Sequence, residues 1–111
     1  MVQSFNVEIA NQCGLNEAIA LDVITNYILA NKDIKVCYSE GRFWCMLAYY
    51  HLKIDLPYMS TNTIKRAVKH LESEGFLRIE HFSNLSRINC YSITEKAENI
   101  LNVSTRWEKY E

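Results

Sequence analysis

Polar and apolar positions along the chain fall into blocks that change period several times. The clearest block is "NEAIALDVITNYILAN", Asn16 to Asn31. Ile19, Leu21, Val23, Ile24, Tyr27 and Ile28 cover more than half of a helix circumference, and Asp22, Thr25 and Asn26 leave only a narrow polar stripe. A helix apolar on so many sides organises a core. Asn16 is a suitable N-cap, with Glu17 in the first turn. The preceding "SFNVEIANQCG" fits a short strand or a short helix equally well.

From Lys35 to Cys45, "KVCYSEGRFWC" reads as a small hairpin, with β-prone residues flanking a Ser-Glu-Gly turn. "MLAYYHLKID", Met46 to Asp55, has room for about two and a half helical turns. Leu47, Tyr50 (or Ala48) and Leu52 suggest one apolar side, and no good N-cap precedes it. Pro57 ends it, because the residue before a proline avoids helical angles. "STNTIKRAVKHLESEG" follows, with Ser60 as N-cap and Gly75 as the stop. Ile64, Ala67, Val68 and Leu71 repeat at helical spacing on one face, while Asn62, Lys65, Arg66, Lys69 and Ser73 share the other. "FLRIEHF" then alternates, "SNLSR" forms a polar loop and "INCYSI" returns as a second strand. Thr94 caps a last helix, "EKAENILNVSTRWEKY", with Ala97, Ile100, Leu101 and Trp107 as its apolar contacts.

The order of elements is helix, small hairpin, helix, tight turn, basic helix, two-stranded hairpin and helix. A helix-turn-helix followed by a hairpin wing is a winged-helix arrangement. The expected fold is therefore α+β, a winged helix-turn-helix with a small N-terminal hairpin and a C-terminal helix. Residues 1–95 form the domain, and residues 96–111 are a helical extension of it. Ile19, Val23, Ile24, Ile64, Val68, Leu71, Leu77, Ile79 and Ile93 form its expected core.

Composition narrows the class. The 111 residues suffice for one domain with a real core, and 49 % apolar against 23 % charged residues reads as globular. No apolar run approaches the ~20 residues needed to span a bilayer. The N-terminus lacks the pattern of a signal peptide. An intracellular, cytoplasmic protein is expected. The net charge of −1 argues nothing by itself, but residues 1–34 carry −3, residues 35–93 carry +3 and residues 94–111 carry −1. Positive charge collects where the basic helix sits.

Four cysteines, Cys13, Cys37, Cys45 and Cys90, are scattered without a C-x-x-C pair. With no ligand pair at metal spacing, a zinc site with His51, His70 or His81 is not expected, and the thiols read as free, small buried hydrophobes. No cofactor is implied. The chain has no Gly-rich phosphate loop, H-E-x-x-H or G-x-S-x-G, and no cysteine placed for activation, so catalysis is not expected.

Four stretches, "FNVEIANQCGLNEAIAL", "YSEGRFW", "LPYMSTNTIKRAVKHLESEGFL" and "CYSIT", give the chain a resemblance to a known family. It resembles the winged-helix N-terminal domains of phage and bacterial replication-initiation proteins of the DnaD-like type, over about residues 5–95. The third stretch is the most specific, because helix cap, basic face, glycine stop and strand start agree in register. The resemblance implies duplex DNA binding through the basic helix, in replication initiation or transcriptional regulation. Asn62, Lys65, Arg66 and Lys69 would face the groove. Family wings are rich in lysine, whereas "HFSNLSRINC" carries only Arg87.

From the chemistry of phosphate contacts, the amides at Ser60 and Thr61, with Arg87 and Lys53 alongside, complete the expected DNA-contacting set. Tyr38, Phe43, Trp44, Tyr49, Tyr50 and Tyr58 can stack on single-stranded bases or, more in keeping with a small core, pack between hairpin and helices. A homodimer through the N-terminal segment or the terminal helix, with Trp107 and Tyr110, is a further expectation. The competing reading is a winged helix turned protein-interaction module, which recruits or inhibits a larger partner without binding DNA.

Overall fold

The computed structural model describes residues 3–31, 38–39, 41–81 and 88–105. Cys37, Arg87, Trp107 and Tyr110 lie outside them. The chain is α+β. Among the described residues it has five helices, a three-stranded antiparallel sheet and a separate two-stranded hairpin.

The ambiguous first stretch is a helix, α1 (Val7–Cys13), capped by Asn6, whose side-chain oxygen accepts the Ile9 N–H at 3.0 Å. Gly14, at φ +123°, breaks the helical path. Helix α2 (Leu15–Asn31) starts immediately after it. Asn16 is therefore not the cap expected from sequence: it lies inside α2, because Gly14 already ends the previous helix and the Ala18 N–H reaches the Gly14 carbonyl at 3.0 Å. The wide apolar coverage of α2 does what its pattern implied. Ala18, Ile19, Ala20, Leu21, Val23, Ile24 and Ile28 are all buried, and α2 packs on both α1 and the elements that follow.

Strands β1 (Tyr38–Ser39) and β2 (Arg42–Phe43) form the small hairpin in the expected place, pairing Ser39 with Arg42. The next segment departs from expectation. Met46 and Leu47 are not helical; Cys45–Leu47 is a strand, β3, and the helix α3 starts only at Tyr49 and runs to Asp55. Cys45 and Leu47 point inward and Met46 outward, and β3 pairs antiparallel with β5 (Asn89–Ile93), Met46 opposite Cys90. A partner strand more than 40 positions away decided this, which local pattern cannot register. Ala48 at the N-cap has no capping side chain, and the first turn of α3 is tied from the other direction, by His51, whose Nδ1 accepts the Ala48 N–H at 3.0 Å.

Leu56 ends α3 before Pro57, and Ser60 caps α4 (Thr61–Ser73) by accepting the Thr63 N–H at 3.1 Å. Gly75, at φ +82°, closes α4. The Phe76 N–H returns to the Leu71 carbonyl at 2.9 Å and the Gly75 N–H to that of Glu72 at 3.1 Å. That is the paired bonding of a Schellman stop. The chain enters β4 (Leu77–Glu80), which pairs with β5, giving the order β3-β5-β4.

As the central strand, β5 buries Cys90, Tyr91 and Ser92 as well as the expected Ile93. Of the nine expected core residues, eight are buried, and Ile79 packs against them partly exposed. Thr94 caps α5 (Glu95–Leu101). This helix is shorter than the pattern suggested. Asn102 takes the left-handed conformation at φ 57°, and the chain then runs back so that the Phe43 N–H donates to the Thr105 carbonyl at 2.9 Å.

Candidate nucleic-acid interface

Helix α4 is divided lengthwise. Ile64, Ala67, Val68 and Leu71 are buried against α2 and α3, while Asn62, Lys65, Arg66 and Lys69 are exposed and line one shallow open hollow. Spacings of three and four residues keep both sets in register along the helix. Among the described residues, no carboxylate pairs with Lys65, Arg66 or Lys69. Lys65 leans over the ring of half-buried Tyr49 on α3, its Nζ 5.2 Å from the ring centre. That contact orients the chain without neutralising its charge.

Of the other cations expected to bind DNA, Arg87 lies outside the described residues and Lys53 reaches over the turn between α3 and α4. Lys53 on α3 donates from Nζ to the Pro57 carbonyl at 3.1 Å and to the Met59 carbonyl. Its ammonium thereby clamps the turn between α3 and α4, with Leu56 and Met59 buried beneath. Lys53 thus spends two of its three donors on the scaffold. Two further arginines are also structural. Arg42 is ion-paired inside the fold to Glu98, at 3.2 Å. Arg78 lies over buried Trp44, 5.0 Å from the ring centre. The positive charge of the middle segment is thus sorted: several cations hold the fold, and Lys65, Arg66 and Lys69 remain together on one helix face.

Ser60 spends its hydroxyl on the Thr63 amide and hydroxyl, so it contributes to a ligand only through the backbone of the helix start. Thr61 is exposed beside it. The aromatic set splits. Phe43 and Trp44 are buried and Tyr49 packs against the core, whereas Tyr50 and Tyr58 are exposed. Exposed Ile54 joins them on the outward side of α3 and the turn after it. Tyr50 therefore does not belong to the apolar side of α3 suggested by its spacing.

Sequence reasoning missed a second convergence, at the junction of α1, α2 and α4. His70 Nδ1 lies 2.6 Å from Glu17 Oε2 and 3.7 Å from Cys13 Sγ. The hydrogen bond to Glu17 raises the His70 pKa above its usual value. Burial, and then the Glu17 charge, push the Cys13 thiol up to about 11. The only hint in the sequence is the C-x-x-x-E spacing across Gly14. Cys13, Cys45 and Cys90 are buried and form no disulfide among the described residues.

A hollow beside α2, lined by Ser4, Asp22, Asn26, Tyr27 and Asp55, has the Tyr27 hydroxyl donating to Asp55. That bond pushes the tyrosine up to about 12. Among the described residues, no helix is long and apolar enough to cross a membrane. No family model, curated protein or solved structure matches the chain.

Proposed function

We propose that the protein is a winged-helix DNA-binding protein, with α4 as the recognition helix lying in the major groove and α3 as its supporting helix. The observation that carries this reading is the set of Lys65, Arg66 and Lys69, without a carboxylate partner among the described residues. The three share one exposed face with Asn62, on a helix whose opposite face is locked into the core. Lysine and arginine supply phosphate or guanine contacts there, and Asn62 has the amide for a bidentate adenine contact. Two structural clamps favour a rigid presentation: Lys53 on the turn carbonyls, and the Schellman stop that leads directly into β4. The β4–β5 hairpin is the wing, with Arg87, from the stretch between the two strands, as a further phosphate contact. Ser60 and Thr61 lend backbone amides at the helix start. The role follows the resemblance, replication initiation or transcriptional control in a phage- or mobile-element-derived setting, in the cytoplasm, with a homodimer as one arrangement on DNA.

A salt titration on random duplex DNA tests the proposal. With Lys53 engaged on the turn carbonyls, Lys65, Arg66, Lys69 and Arg87 supply about four phosphate contacts. At about −0.9 per contact, the slope of log affinity against log salt is close to −4. Replacing Lys65, Arg66 and Lys69 together with alanine flattens that slope to about −1 and nearly abolishes binding, with circular dichroism unchanged. A parent protein that fails to bind at low salt, or a triple variant that binds as the parent does, defeats the reading.

One observation favours the second reading, a protein-interaction module. Tyr50, Ile54 and Tyr58 expose large apolar surface, each at least 60 % accessible, on the outer side of the α3 region. Such clustering is a feature of partner-binding surfaces. Failure of the salt titration would shift the assignment to this surface.

A further inference from the structure

Cys13, Glu17 and His70 bring a thiol, a carboxylate and an imidazole together from three helices, with one ligand atom of each within 4.8 Å of the others. Three kinds of use are chemically open to such a group: a nucleophilic triad, a simple ion pair, or a metal site. The triad fails on geometry. Both partners approach the same ring nitrogen, Nδ1, whereas a relay needs the base to face the nucleophile with one nitrogen and its orienting acid with the other. The thiol is also held in its neutral form, the opposite of an activated nucleophile. An ion pair accounts for Glu17 and His70 alone, whereas a metal site also uses the Cys13 sulfur, which lies 3.7 Å from the same ring nitrogen.

We propose that Cys13 Sγ, Glu17 and His70 Nδ1 bind a zinc ion, with water in the fourth position. The donor set of sulfur, imidazole nitrogen and carboxylate oxygen is that of zinc rather than of calcium or magnesium. One thiolate and one carboxylate balance the two positive charges, so the occupied site is neutral where Cys13 is buried.

Zinc–ligand bonds of about 2.0–2.3 Å at tetrahedral angles place sulfur and nitrogen about 3.5 Å apart, close to the Cys13–His70 separation. The Glu17–His70 hydrogen bond opens by less than about 1 Å to admit the ion. His70 is 44 % exposed, which leaves an entry path and room for water. The backbone keeps the place clear: a Cβ at position 14 would meet Glu17 Oε1 at 2.5 Å, so Gly14 lets the carboxylate lie against the junction of α1 and α2. Zinc here cross-links α1 and α2 to the C-terminal part of α4, one turn beyond Arg66, and so fixes the helix proposed to read DNA. The site stands on its own geometry and does not depend on the DNA reading.

The test is zinc binding by the full chain after chelator treatment and dialysis, by competition with a chromophoric chelator, alongside cobalt substitution. One zinc per chain is expected, with a sulfur-to-cobalt charge-transfer band and the strong visible bands of a tetrahedral complex. Cys13→Ser and His70→Gln should each weaken binding by more than about 100-fold, because even supporting residues of metal sites cost 10–100-fold. His81→Gln should leave it unchanged. Glu17→Gln, at a partly exposed position, serves where a Cys13 variant loses its native circular dichroism. Absence of stoichiometric zinc, cobalt spectra without a thiolate band, or full binding by the Cys13→Ser and His70→Gln variants overturns the proposal.

Discussion

Glu98 on α5 is buried, and among the described residues three donors converge on its carboxylate. Arg42 Nη1 lies 3.2 Å from one oxygen; the other accepts the Thr105 backbone N–H at 2.6 Å and the Thr105 hydroxyl at 3.0 Å. Arg42 also donates to the Ile93 carbonyl at 2.8 Å. The Arg42–Glu98 pair thus ties β2, the end of β5, α5 and the segment after it together. Glu98→Ala strands Arg42, itself only 15 % exposed, beside a cavity and leaves two Thr105 donors without their acceptor.

Each hydrogen bond to a charged group contributes about 1.5–3 kcal/mol, but the three share one acceptor and do not add. Breaking a buried pair by removing one partner costs about 3–5 kcal/mol, the magnitude expected here. Against a total stability of about 5–15 kcal/mol that is a large share, and at about 4 °C per kcal/mol the melting temperature should fall by roughly 12–20 °C. Urea denaturation followed by far-ultraviolet circular dichroism measures it as a lower midpoint at constant slope. Glu98→Gln should lose less, because the amide oxygen still accepts one hydrogen bond while Arg42 loses its counter-charge. A Glu98→Ala loss below about 1 kcal/mol would refute the argument, since it would mean that water, not Glu98, satisfies Arg42 and Thr105.

Leu71→Ala should cost about 2–5 kcal/mol in the same assay, because Leu71 is fully buried under α4; a loss near zero would place the basic helix in a different register. In metal-free protein, the His70 ring should titrate above the ordinary histidine value of about 6.5, because Glu17 on α2 holds its proton and Glu74 at the end of α4 adds negative potential. The folded-state value is raised, so this contribution to stability is fully present below about pH 6.5 and is lost as pH rises through the folded value. Nuclear magnetic resonance titration should show the elevation, and Glu17→Gln should remove most of it; an unshifted His70 in the parent would contradict the Glu17 contact.

Local signals were enough for much of this fold. The caps at Ser60 and Thr94, the glycine stop at Gly75, the proline boundary after Leu56 and the apolar face Ile64–Ala67–Val68–Leu71 all act within one or two turns, so their chemistry is complete in a short stretch of chain. The basic face of α4 was legible for the same reason: about half a helical turn separates it from the core face.

Tertiary structure decided everything that depends on a distant partner. Cys45–Leu47 became a strand because β5 lies beside it, and α5 stopped at Leu101 because Glu98 recruits Thr105 and the chain folds back onto β2. Lys53 read in sequence as a DNA contact and Arg42 and Arg78 carried no signal, and only packing showed them on carbonyls, a buried carboxylate and an indole. Cys13 and His70 lie 57 positions apart and meet because α2 packs on both α1 and α4. No periodicity encodes such a meeting: it arises from burying three apolar helix faces against one another, and the polar atoms at their shared edge are brought together as a result.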